Sequence, residues 1–205
     1  NTERTLKISK PYVNFVRGWL YMSNDMYDIV IVGGGPAGST LARLIGSRYK
    51  VLLLEKRSFE DMESPVCRKC CGGLVAPDAQ LMLAKFGLGM PKTVLLSPQL
   101  FAVRAIDISN SIERFYQRNY INISREEFDR WLLSIAPPAV EIIYKAMYRS
   151  HEEREDGIRI KYYWSNQDGE VKAKLLVGAD GAFSKVRRQS FPIHPGPQLY
   201  VFIQE

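Results

Sequence analysis

DIVIVGGGPAGSTLARLIGSRYKVLLLE, residues 28–55, reads as strand, glycine turn, helix and second strand in a single βαβ unit. Asp28 leads into Ile29, Val30, Ile31 and Val32, a short β-branched run of the kind that forms a parallel strand buried on both faces. Gly33, Gly35 and Gly38 then satisfy G-x-G-x-x-G. In that pattern the first glycine permits a sharp turn, the second lets backbone approach a pyrophosphate, and the third lets helix and strand pack closely. Pro36, followed by Ala37, suits the first helical position, where its missing N–H donor would have been unpaired anyway. The free N–H groups and positive dipole end of such a helix make an anion site. Leu41, Leu44 and Ile45 are expected on one buried face, with small Ala42 letting the helix lie near the sheet. Val51 to Leu54 forms the second strand and ends on Glu55, 17 residues past Gly38, near the spacing at which an acid accepts hydrogen bonds from a ribose diol.

Composition sets the outer limits. The 205 residues suffice for one large or two small domains, and 46% are hydrophobic, enough for a substantial core. The net charge of +6 is spread along the chain without a Lys/Arg block. It therefore reads as a solvated surface, or as attraction to anionic cofactors or phosphate-bearing lipid, rather than as a nucleic-acid face. The three cysteines cluster at Cys67, Cys70 and Cys71, and their odd number argues against a secreted disulfide framework, so a reducing, cytoplasmic setting is expected. No run of about 18 apolar residues occurs to span a membrane; peripheral contact with its inner face stays open. Residues 1–25 show no trusted periodicity and read as an appendage, and Met22 or Met26 offers a natural start. The first residue is Asn and the chain stops in a strand-like Tyr200–Gln204, so both ends read as cut.

After Glu55 and Lys56 a loop runs to Cys67-Arg-Lys-Cys70-Cys71-Gly72-Gly73. Cys67-x-x-Cys70 invites zinc or a disulfide switch, but the two histidines, His151 and His194, are distant and not arranged as a ligand pair. Gly72 and Gly73 would instead let backbone approach a flat ligand with the Cys71 thiol nearby, or simply make the loop flexible. Pro77 opens a helix over 78–86 that Gly87 closes, and strands are expected over 101–108, 112–117 and 120–123. Ser124-x-x-Glu127 is a capping box for a helix with the apolar stripe Phe128, Trp131, Leu132 and Ile135, ended by Pro137-Pro138. Arg125 thus falls in the first turn of a helix that follows a strand, where ligand crevices of open α/β sheets lie. Its alternative is a surface arginine. A strand over 140–144 precedes an antiparallel meander, whose hairpin turn is read at Asn166-Gln-Asp168-Gly169 with Gly169 at positive φ and Val171 starting the return strand. That strand runs into Gly178-Ala-Asp180-Gly181, where Asp180 could meet ribose or ribityl hydroxyls or merely close a turn.

Together these motifs are more specific than any one of them. GGGPAG with Glu55 and a downstream GADGAFSKVRR resembles the para-hydroxybenzoate hydroxylase superfamily of FAD-binding proteins. Its D-G-x-x-S-x-x-R motif is matched by Asp180, Gly181, Ser184 and Arg187. Within that superfamily, KCCGGLVAPDAQ, YQRNYINISREEFDRWL and VGADG look like the geranylgeranyl reductase family, in its CbrA-like bacterial branch. The resemblance covers about Tyr27 to Gln204 and implies an α/β fold: a Rossmann-like FAD-binding domain with a parallel sheet and an antiparallel meander. It implies that residues 26–205 are a partial domain, cut before a substrate-binding sheet and a second Gly-Asp cofactor motif. By this likeness Gly33, Gly35 and Gly38 hold the FAD pyrophosphate and Glu55 the adenosine ribose, with Pro36, Ala37 and Lys56 also counted among the cofactor-binding residues. Cys71, Gly72 and Gly73 lie near the isoalloxazine, Arg125 contacts the cofactor, and Asp180 and Gly181 belong to a motif used for FAD and reduced nicotinamide. Relatives often have Pro before the cysteine of the C-G-G loop, where this chain has Cys70. The implied activity is hydride transfer from flavin to an isoprenoid or lipid-like substrate, with NAD(P)H or another donor supplying electrons. A flavin monooxygenase or halogenase, or a non-catalytic flavoprotein, remains an alternative.

Overall fold

The structure, a computed structural model, describes residues 26–59, 71–192 and 196–198. The expectations for residues 1–25, for Cys67 and Cys70 and for His194 lie outside them. The βαβ unit forms as read: β1 (Tyr27–Val32), α1 (Pro36–Ile45) and β2 (Val51–Glu55), with β1 and β2 parallel and Val30 opposite Leu52. A short β3 (Leu74–Val75) leads to α2 (Pro77–Lys85), and the chain then makes a long hairpin of β4 (Leu100–Asp107) and β5 (Ile112–Asn122). Next come α3 (Arg125–Ser134), β6 (Glu141–Tyr144), the meander β7 (Met147–Arg154), β8 (Gly157–Trp164) and β9 (Gln167–Gly178), and α4 (Lys185–Ser190).

Six strands join in the order β6-β2-β1-β9-β8-β7, and β3-β5-β4 form a second, smaller sheet. The first four of the six run parallel, and β8 and β7 continue antiparallel from β9. Because side chains alternate across a strand, β1 and β2 feed two cores at once. Val30, Val32, Leu52 and Leu54 pack with Tyr148, Ile160 and other meander residues on one face. Ile31, Val51 and Leu53 pack with Ala42 of α1 and Leu133 of α3 on the other. Each such fully buried aliphatic side chain contributes on the order of 1.5–3 kcal/mol, which is why this unit anchors the rest. A third core, under α2 and α3, holds Val75, Val94, Ile123, Phe128 and Leu132.

Four local expectations are corrected. Leu44 of α1 faces solvent, because the helix turns Gly38, Ala42 and the flanks Leu41 and Ile45 toward the sheet. The segments 112–117 and 120–123 are not two strands: β5 runs through, taking up one extra residue between Gln117 and Tyr120 as a bulge. Only half of the capping box forms: Ser124 Oγ accepts from Glu127 N at 3.3 Å. Glu127 instead pairs with Arg130, while Ser124 N donates to Val94 O.

The meander turn falls at Ser165-Asn166, both at positive φ (48° and 63°), so that Trp164 pairs with Gln167 and β9 starts four residues before Val171. Two positive-φ residues in a two-residue loop match the twist of the flanking strands. Gly169 lies inside β9 opposite Tyr162, and a β-carbon there would sit 2.5 Å from the Tyr162 ring. Gly169→Ala is therefore expected to lose about 1–3 kcal/mol by overpacking, although alanine normally suits a strand interior no worse than glycine. A thermal melt that does not fall would refute this packing account.

Much of the β4–β5 hairpin is bare. Phe101, Ile108 and Phe115 are 67%, 87% and 70% exposed.

Candidate nucleotide-binding site

The glycine turn lies at the carboxyl ends of β1, β2 and β9, the position at which open α/β sheets bind ligands. Gly33 takes φ +105°, and a β-carbon on it would lie 2.8 Å from the Ala179 carbonyl carbon and 3.1 Å from Asp180 Cα. The turn and the end of β9 can touch only through glycine. Gly38 packs against Gly33 in the same way, as the sequence pattern requires. Gly35 is the N-cap of α1 with ordinary extended backbone (φ −74°, ψ −176°) and contributes no side-chain cap. The first turn also carries no acidic residue. A ten-residue helix thus presents its positive end and first-turn N–H groups without a side chain of its own neutralising them. Pro36 sits half-buried at its start and Ala37 is exposed.

On one side of the turn stands a run of four charged side chains. Glu55, 3% exposed, accepts from Gly34 N (2.7 Å) and Arg57 Nη2 (3.1 Å) through Oε2, and from Arg57 N (2.9 Å) and Nε (3.0 Å) through Oε1. Arg57, 2% exposed, donates Nη1 to Asp129 Oδ2 at 2.8 Å and Nη2 to Gly34 O at 3.4 Å. Its guanidinium also lies 4.5 Å from the Phe59 ring centroid. Asp129, fully buried in α3, accepts from Arg125 Nε at 2.8 Å through its other oxygen. Arg125 Nη1 lies 3.7 Å from the exposed Cys71 Sγ.

Burial alone would push the Glu55 carboxyl up, but the hydrogen bonds and charge of Arg57 outweigh it, so it sits below the usual carboxylate range. Burial opposes the charge on Arg57 and Arg125 as well. The carboxylates of Glu55 and Asp129 overcome it for Arg57, and Asp129 does so for Arg125; both arginines titrate above their ordinary range.

The C-G-G loop is tied to the start of α3. Gly73, buried at φ +63°, accepts from Ile123 N at 2.7 Å, and a β-carbon on Gly72 would meet none of the described residues. On the far side of the turn, Asp180 Oδ2 accepts from Lys185 N (2.6 Å) and Val186 N (3.3 Å), binding the start of α4. Ser184 caps that helix by accepting from Arg187 N at 3.0 Å, and Arg187 Nη2 returns to Ala182 O at 3.2 Å. Three of the D-G-x-x-S-x-x-R side chains, Asp180, Ser184 and Arg187, thus bond backbone within residues 180–187. Asp180 Oδ1 is buried with no donor among the described residues, and Gly181 is exposed at φ +88°. Lys56 is exposed beside Glu55.

The family is decided by a match over residues 80–199, more than half the chain, to the family model described as FAD binding domain. The chain belongs to that family. Its sequence is 40% identical over 181 residues to Protein CbrA of Escherichia coli (strain K12), an alignment covering 88% of this chain and 50% of that protein. The chain therefore spans about half the length of the curated relatives it matches. Among solved structures it is similar to a geranylgeranyl bacteriochlorophyll reductase-like protein of Thermoplasma acidophilum, with TM-score 0.68 and 25% identity. That likeness covers 81% of this chain and 42% of the other. It is also similar to a triple mutant of a flavin-dependent brominase, with TM-score 0.62 and 25% identity over 76% of this chain and 39% of the other.

The residues present fit an FAD. The uncapped α1 terminus suits a diphosphate, and among the described residues no side chain fills the space at Gly72. Glu55 stands where a ribose acid is expected, yet all four donors named above already engage it, so a ribose hydroxyl there shares the carboxylate with Arg57.

Arg57 and Asp129 were not anticipated from sequence. A signal for Asp129 exists, because it follows Arg125 by four residues and adjoins the apolar stripe, placing an acid where a helix turns inward. Arg57 carries no such mark.

Proposed function

We propose that this chain, through residues 26–205, is the FAD-binding half of a flavin-dependent oxidoreductase of geranylgeranyl reductase type. It acts on an isoprenoid or other lipid-like molecule and draws electrons from NAD(P)H or a similar donor. The observation that carries the cofactor is the α1 terminus left without a side-chain cap above a turn that only glycine can make. The likeness to the reductase-like protein supports the reaction type. When bound, the flavin supplies the two-electron chemistry; the protein binds, orients and shields it. Gly33 to Gly38 take the diphosphate, Arg125 adds a cation, and the Cys71–Gly73 loop approaches the ring system. The bare apolar hairpin β4–β5 is the edge on which a substrate-binding sheet continues. Among the described residues no helix is long and apolar enough to cross a membrane; a cytoplasmic protein touching the inner membrane face fits a lipid-like substrate.

Gly35→Val tests the cofactor. Its backbone conformation is one that valine can adopt, and the added methyl groups would crowd the phosphate approach; circular dichroism separates loss of flavin from loss of fold. FAD binding to the full-length protein is expected to weaken at least about tenfold; unchanged yellow flavin content would remove the assignment. The likeness to the brominase favours a second reading, a monooxygenase or halogenase. Oxygen consumption in step with substrate oxidation would select it over alkene reduction.

A further inference from the structure

Two parts of the site that are far apart in sequence meet on one carboxylate. Asp129 gives one oxygen to Arg57, which grips Glu55 and the Gly34 carbonyl, and the other to Arg125, which stands beside Cys71. Glu55 itself braces the glycine turn through Gly34 N. The C-G-G loop is joined to the start of α3 twice, by Arg125 at Cys71 and by Ile123 N at Gly73 O. Asp129 and Arg57 are buried, while Arg125 is a quarter exposed. Glu55 is buried as well, so the run opens to solvent at its Arg125 end and acts on the glycine turn through the Glu55 contact with Gly34 N.

We propose that Asp129 is a positioning residue that couples the glycine turn to the C-G-G loop, so that the nucleotide end at Glu55 and the loop end at Arg125 respond to FAD together. This rests on the flavin reading above. Arg57 and Arg125 have Asp129 as a common counter-ion, one oxygen to each, and Asp129 is carried on α3. A shift of either guanidinium is therefore felt by the other through Asp129. Glu55 reaches Arg125 through Arg57 and then Asp129, by two buried ion pairs and a third that is buried on its Asp129 side, so energetic coupling between the two ends has this path available.

A double-mutant cycle on FAD affinity, followed by flavin fluorescence in the full-length protein, reads the coupling. Glu55→Gln and Arg125→Gln are each expected to weaken binding, and the double variant to weaken it less than the product of the two, by roughly fivefold. In an Asp129→Asn background the product rule should return to within about twofold. Arg57→Lys, which keeps the charge but loses the fork, cuts the same link from the other side and must also restore it; if Asp129→Asn does not fold, the Arg57→Lys background decides between coupling and independence. A product rule already obeyed without Asp129→Asn, or coupling that survives both link variants, overturns the proposal while leaving FAD binding intact. Failure of the unmodified protein to bind FAD overturns both readings.

Discussion

Arg57→Met is expected to destabilise the fold by about 3–5 kcal/mol at neutral pH, the range for removing one partner of a buried ion pair. Two carboxylates, Glu55 and Asp129, would be left in an apolar interior with Arg125 beside only one of them. The pH dependence gives this effect a signature. In the unaltered protein the Glu55 carboxyl is held below its ordinary range. Its contribution is therefore present above the unfolded pKa and is lost as pH falls through the lower, folded value. Without Arg57 the burial that already presses this carboxyl upward is opposed only by Gly34 N among the partners described above, and its folded pKa rises above the unfolded one. Stability is then lost as pH rises, and protonation relieves the penalty. Urea unfolding at neutral pH and near pH 4 should show the gap between the two proteins shrinking in acid. A gap that stays constant or widens would contradict the ion-pair account.

Gly38→Ala is expected to cost at least about 3 kcal/mol, the upper end of the range for overpacking, and to abolish flavin binding with it. In an ordinary helix the same exchange stabilises by about 0.5–1 kcal/mol, so the sign itself is informative. Here the added β-carbon would run into the Gly33 carbonyl oxygen and approach the Ala179 side chain to 3.2 Å. The obstruction is backbone, which cannot swing aside as a long side chain would. Relief would require α1 to move off the sheet, withdrawing its first-turn N–H groups from the glycine turn. A neutral or stabilising result in denaturant melts would show that the helix has more freedom than its packing suggests.

The β1-α1-β2 unit was legible because several independent local rules agree over residues 28–55: apolar runs of strand length, glycines at fixed spacing and a proline at N1. The parallel sheet and the meander followed from the same kind of pattern. Local chemistry failed at Gly169, where a glycine beside an aspartate looked like a turn, and the strand register instead required room for the Tyr162 ring. It failed at Glu127 because Arg130, one helical turn on, competes for the carboxylate that would otherwise close the capping box. At Glu55 the residue was identified and its partner was not, because no sequence spacing reveals that Arg57 folds back onto it.

By itself, then, the sequence determined which segments are strands and helices in the nucleotide-binding unit, and that the turn between them can approach an anion. These are properties of short windows, set by side-chain periodicity and by the φ angles that glycine and proline allow. Only the tertiary structure decided how the charges are shared: that Asp129 serves Arg57 and Arg125 at once, and that one oxygen of Asp180 accepts from the start of α4. Such pairings join residues as far as 72 positions apart. They exist because a buried charge must find an opposite one wherever the packing of α3 against the sheet brings it.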